Sequence, residues 1–214
     1  MALQARAEAT RRKIIETAVE LFNELGYGET GLADVLQRAG VSKGAFYYHF
    51  DSKEAVAKAI IDEFDSRAAL CVEENFDPAN PTMAGFIRST FAVQGLMHRD
   101  PTVQVGQMLS QALKQVSSAG SQMYSGWTER FVEMVNAVAK TGGIRPDIDL
   151  LDVAEAIWAG VLGSHLVSAA RRDDPYTRLA RSWRVLVLSI APEGEVAELH
   201  AMLEDTVAHY QAAV

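Results

Sequence analysis

The chain of 214 residues holds a single cysteine, Cys71, so no disulfide can close within it. That suits a reducing cytoplasm and leaves the fold to packing alone. Proline is scarce, six residues in all, and two of them share the stretch Phe76-Asp77-Pro78-Ala79-Asn80-Pro81, which reads as a loop. No segment alternates apolar and polar residues with the period of two that a half-buried strand requires. No apolar run approaches the ~20 residues of a membrane span, so no membrane partner is expected. The opening residues, MALQARAEATRRK, lack the apolar core of a secretory signal. Repeats and low-complexity tracts are missing too.

The constellations that carry catalysis or hold metals are equally scarce. Histidines at 49, 98, 165, 200 and 209 are dispersed, and none forms H-E-x-x-H. Cys71 has no partner at metal-ligand spacing, and no G-x-S-x-G elbow occurs. Gly26 to Gly31 spells G-x-G-x-x-G. A dinucleotide site needs a strand before that motif and a long helix after it, whereas a helical pattern precedes it here and a short one follows. No catalytic residue, metal or cofactor is expected.

What is present is helical. Apolar residues make up 49% of the chain and charged residues 22%, the balance of a folded protein. Ile14, Ile15, Ala18, Val19, Leu21, Phe22 and Leu25 form one stripe, predicting a helix over 8–25, with residues 1–7 as a mobile basic arm. Asp51 and Glu54 have the spacing of a capping box for a long helix from Lys53 to Asn75. Further helices are expected over 82–97, 101–116, 123–140, 149–171, 175–190 and 195–210, with a polar break at 117–120. The fold class is therefore all-α, with an N-terminal unit over 1–52 and a larger one over 53–214. The net charge of −8 lies entirely beyond residue 60, because residues 1–60 carry eight Lys or Arg and eight Asp or Glu. An acidic second part keeps a polyanion off the wrong surface.

The stretch that organises the rest runs from Gly31 to Phe50. Leu32, Val35 and Leu36 mark one face of a short helix, with Gly31 at its N-cap and Asp34 in its first turn. Gly40 breaks the pattern, and Ser42 caps a second helix whose buried side carries Phe46 and Phe50. The remaining faces hold Lys43, Gly44, Ala45, Tyr47, Tyr48 and His49. Small residues at a helix start, followed by hydroxyls and cations, fit a DNA groove. A plain helical hairpin with aromatics turned inward would show the same spacing.

With its flanks, this stretch resembles the signature of tetracycline-repressor-type (TetR family) regulators. The matching features are Arg38-Ala39-Gly40-Val41-Ser42, then Lys43-Gly44-Ala45-Phe46-Tyr47-Tyr48-His49-Phe50, and the lysine just after, Lys53. The resemblance covers about the first sixty residues. It implies a dimeric repressor of a double-stranded operator, with Tyr47, His49 and Lys53 on phosphates and Lys43, Gly44 and Ala45 at base edges. Tyr48 could serve either purpose. Gly31 departs from the family's Thr or Ser, and Thr30 would then supply that phosphate contact.

The second part resembles the γ-butyrolactone autoregulator receptors of actinomycetes. The residues concerned are Trp127, Pro146-Asp147-Ile148-Asp149, Val161-Leu162-Gly163, and Trp183 followed by Ile190-Ala191-Pro192. This implies an effector pocket with Trp127 in it. Phe86, Met108, Met123, Tyr124, Phe131 and Trp158 are large, adaptable companions, each readable as pocket lining or as core. For a homodimer interface the candidates are Ala156, Ala159, Gly160, Gly163 and Ser164, which equally suit packing within one subunit, with Leu186, Val187 and Ile190. Two other readings stay open: a drug- or lipid-sensing repressor of an efflux or catabolic operon, and a helical enzyme or adaptor without DNA binding.

Overall fold

The computed structural model describes residues 2–113 and 118–212, with side chains over 4–113 and 124–212. Among them are ten α-helices, one short 3-10 turn and no strand. In order these are α1 (Ala2–Leu25), α2 (Leu32–Ala39), α3 (Lys43–His49), α4 (Lys53–Asn75), α5 (Met83–Arg99), α6 (Pro101–Leu113), α7 (Ser118–Lys140), α8 (Leu150–Arg171), α9 (Pro175–Ile190) and α10 (Val196–Ala212). The all-α expectation holds. Contacts group Met1–Ala68 with Met97–Met123, and Ala69–Leu96 with Tyr124–Val214.

In the first unit, α1 begins at Ala2, so the basic arm expected over residues 1–7 is helical where it is described. Nothing in Ala2–Ala7 breaks a helix, and the Thr10 hydroxyl bonds back to the Arg6 carbonyl. α1 packs on α2, α3 and α6. Ile14, Ala18, Leu21, Phe22, Val35, Phe46, Phe50 and Ile60 are all buried in this unit. Each large side chain among them contributes about 1.5–3 kcal/mol on leaving water. Gly40 has φ 62°, the left-handed conformation that ends α2. The Arg67 guanidinium bonds to Glu63 at 2.8 Å and to Asp100 at 2.5 Å. Asp100 in turn accepts from the Thr102 and Val103 amides and so caps α6.

The cap of α4 differs from expectation. Ser52 takes that place, its Oγ accepting the Ala55 amide at 3.1 Å, and Asp51 is exposed. Both residue types cap well, and spacing alone did not separate them. Likewise Ser118–Gly120, expected as a break, begins α7, while 114–117 lie outside the described residues.

In the second unit, Asp149 caps α8 and Asp174 caps α9, each carboxylate accepting two backbone amides. α8 and α9 pack extensively on each other, and α9 on α10. α8 is also long enough to cross a membrane, and its most apolar 18-residue window reaches a mean hydropathy of 1.4. The expectation that no such stretch exists is therefore corrected. Ala, Gly and Ser dilute the large apolar residues without adding charge, so no unbroken run stands out. Only 22% of that window is buried within the chain.

Candidate nucleic-acid interface and aromatic core

α3 is fixed from both sides. At its start Ser42 Oγ accepts the Ala45 amide at 3.1 Å, a cap worth about 1 kcal/mol. At its end the Phe50 amide donates to the Phe46 carbonyl at 2.9 Å. Phe46 is fully buried and Phe50 nearly so, their ring centroids 6.0 Å apart. With that side anchored, Lys43, Gly44, Tyr47 and Tyr48 face outward, and Ala45 and His49 are half-buried. Tyr48 is 77% exposed. A Cβ added at Gly44 would meet nothing nearer than Ser42 Oγ at 4.0 Å, so the helix start is open to close approach. The Lys43 ammonium sits 5.9 Å from the Tyr47 ring centroid. α2 is held in register beneath: the Gly31 amide donates to the Asp34 carboxylate at 2.8 Å, and Arg38 pairs with Glu24.

Two residues expected at phosphates do not face outward. Thr30 is 1% exposed, and its hydroxyl donates to the Gly26 carbonyl at 2.8 Å. It closes the α1–α2 connection instead of replacing the hydroxyl that Gly31 lacks. Lys53 is half-buried, and its ammonium donates to the carbonyls of Tyr27 and Thr30, both at 2.8 Å. Tertiary folding turns that side chain inward, and position along the chain could not show it.

The second unit gathers its aromatic rings into one group. Phe131 lies 5.2 Å from Trp158 and 5.3 Å from Phe86. Trp127 stacks on Trp158 with centroids 6.1 Å apart, and Tyr124 touches Trp158 at the same spacing. Five of the expected pocket residues, Phe86, Tyr124, Trp127, Phe131 and Trp158, thus meet. Met108 does not join them. It is 39% exposed and belongs to the first unit, on α6, where its sequence neighbours Gln107 and Leu109 are buried. The side chain of Met123 lies outside the described residues. Phe76 and Trp183, both in contact with Phe86, were not expected there.

Polar groups are set into this apolar layer. Trp183 Nε1 donates to Thr90 Oγ1 at 2.9 Å. The Gln94 amide lies 3.4 Å from His165 Nδ1, and burial pushes the His165 pKa down, keeping the ring neutral. Trp127 is 5% exposed, yet among the described residues its Nε1 has no hydrogen-bond partner. A buried donor left unmatched costs about 1–3 kcal/mol. Arg130 lies over the Trp127 ring at 5.4 Å and approaches Glu73 at 3.7 Å. No group of three or more metal-ligating side chains occurs among the described residues.

The face left open lies on α8 and α9. Gly160 and Ser164 turn toward α9: a Cβ on Gly160 would lie 3.5 Å from Leu186, and Ser164 bonds to Ser182 at 2.8 Å. Val187 and Ile190 are buried. These residues therefore pack within the subunit. The exposed apolar residues are instead Leu151, Leu166 and Val167 on α8, with Val185 (65% exposed) and Leu188 (59%) on α9. Ala156 and Ala159 are exposed as well.

Residues 14–60 match the family described as bacterial regulatory proteins, tetR family, and residues 81–192 match the tetracyclin repressor-like C-terminal domain. The chain is 33% identical to the A-factor receptor protein of Streptomyces griseus over 201 residues, 93% of this chain and 70% of that protein. Its fold is similar to a γ-butyrolactone receptor described as ArpA-like, with TM-score 0.77, 26% identity, and 95% and 99% of the two chains covered. CprB from Streptomyces coelicolor, solved with its biological operator sequence, gives 0.76 and 27% over 95% and 99%.

Proposed function

The chain belongs to the tetR family of bacterial regulatory proteins, a transcriptional repressor and not an enzyme, and on that premise we propose how it reads DNA and what releases it. The observation that carries the reading is α3 itself. Its aromatic side is locked into the core, and Lys43, Gly44, Ala45, Tyr47, Tyr48 and His49 are left on its other faces. Gly44 and Ala45 let the backbone approach base edges in the major groove. Lys43 and the tyrosine hydroxyls reach base edges or phosphates, where contacts add affinity and salt dependence. Residues 1–52 form the operator-reading domain. Residues 53–214 carry the effector and the partner subunit.

One such helix covers half a site. A second copy, placed about 34 Å away along the duplex, reads the other half of a palindrome. The exposed apolar residues of α8 and α9, Val185 and Leu188 foremost, form the contact between the two copies. Burial there would also explain a helix of membrane-like hydropathy in a DNA-binding regulator working in the cytoplasm.

The effector is a small, largely apolar molecule with a hydrogen-bond acceptor, of the γ-butyrolactone class. The unmatched Trp127 Nε1 within the aromatic group supports this, because an acceptor delivered there would relieve its cost. So does the likeness to receptors of that class. Release then follows from tighter effector binding to the state that cannot grip DNA, with about 1–3 kcal/mol of coupling. The test is selection of operator duplexes from genomic DNA, repeated with added lactones. A retained palindrome that lactone displaces is expected. Retention of no duplex would defeat the repressor reading, and displacement only by other drugs or lipids would defeat the lactone.

A further inference from the structure

Lys53 opens α4, one turn beyond the reading helix, and its side chain runs back beneath the connection between α1 and α2. Its Nζ donates to the Tyr27 carbonyl and the Thr30 carbonyl, both at 2.8 Å, and sits 4.2 Å from the centroid of the Tyr27 ring. Tyr27 is itself held edge-on against the buried Phe22, at 5.2 Å. Thr30 is buried, its amide and its hydroxyl both bonded to the Gly26 carbonyl. Gly31, next in the chain, is the N-cap of α2. The lysine thus gathers the end of α1, the start of α2 and the first turn of α4 at one point. Bonds from an ammonium to carbonyls are charge-assisted and stronger than neutral ones. The negative end of the α1 dipole and the face of the Tyr27 ring favour a cation in the same place.

We propose that Lys53 is a positioning residue for operator binding: it clasps the α1–α2 connection to α4, so that α2 and α3 are carried by α4 at a fixed angle, and it does not touch a phosphate. Reaching a phosphate would strip both carbonyls of their donor. The proposal rests on the repressor reading above.

The test uses the full chain and a duplex recovered with it from genomic DNA. Lys53→Met keeps the apolar stem and removes the ammonium. Lys53→Arg restores a cation that donates to carbonyls and stacks on an aromatic face. Affinity is measured across a salt series, at a temperature where circular dichroism shows every variant fully folded. A role in stability alone would then leave affinity unchanged. Expected is a loss of about tenfold in Lys53→Met, with the slope of log affinity against log salt within ~0.3 of wild type, and recovery of most of that loss in Lys53→Arg. A slope reduced by about 0.9 in Lys53→Met would make Lys53 a phosphate contact and overturn the proposal, as would unchanged affinity. Amide exchange on the free protein is the second arm. Backbone amides of 26–31 should exchange faster in Lys53→Met and return toward wild type in Lys53→Arg, and unchanged exchange would overturn the clasp. If the wild-type chain retains no duplex, the repressor reading fails, and the exchange arm shows that separately from the clasp.

Discussion

The helix proposed to read DNA and the rings that face one another inside the second unit use aromatic residues in opposite ways. On α3, Phe46 and Phe50 are anchors, and Tyr47 and Tyr48 are left in water. In the second unit Phe86, Phe131 and Trp183 are sealed together, and among the described residues Trp127 Nε1 is an unmatched polar atom on the inside. The first arrangement is complete as it stands and waits for a large surface. The second is short of one acceptor and waits for a small molecule. Rigid presentation with open faces suits a groove, whereas a buried deficit suits a ligand that can enter.

The comparison breaks most readily at the anchor. Phe46→Ala should cost about 3–5 kcal/mol in urea unfolding, since the side chain is fully buried, and operator binding should go with it. Removing an outward group should separate the two effects. Tyr47→Ala, at an exposed site, should lower operator affinity about tenfold to a hundredfold in a gel-shift titration while changing stability by less than ~0.5 kcal/mol.

How far this contrast could be read from the chain alone follows from the range of the interactions. The α2–turn–α3 unit was legible because its signals are local: Gly40 at the turn, the Ser42 cap, and two phenylalanines four apart. The inward turn of Lys53 was not legible because its partners lie 23 and 26 residues earlier in the chain. Most of the aromatic group was anticipated from residue type and resemblance. Trp183, quoted for the resemblance but not placed in the pocket, meets Phe86 only because α9 folds back over α5. The subunit face stayed open between two readings because Gly160 and Ser164 invite close approach without saying by which helix.

Between copies, Val185→Glu together with Leu188→Glu should turn a dimer into a monomer by sedimentation, because charge replaces exposed apolar surface at the proposed contact. Within the aromatic group, Trp127→Phe removes the unmatched donor. The free protein should be unchanged or more stable by about 1 kcal/mol in thermal unfolding, and the lactone response should disappear. The smallest effect is the pH dependence from His165. Its folded pKa lies below its ordinary value, so the ring is neutral in both states at pH above ~6.5. As pH falls through ~6.5 the unfolded chain takes up a proton that the folded chain refuses, and stability declines until the folded pKa is passed. His165→Gln should flatten that part of a stability-against-pH curve.

The division of labour between the two regions is tested most directly by titrating one selected operator duplex with wild type, Tyr47→Ala and Trp127→Phe side by side, without effector. Tyr47→Ala should lose at least about tenfold in affinity, and Trp127→Phe should stay within about twofold of wild type. Equal losses in the two variants, or a greater loss in Trp127→Phe, would contradict the account.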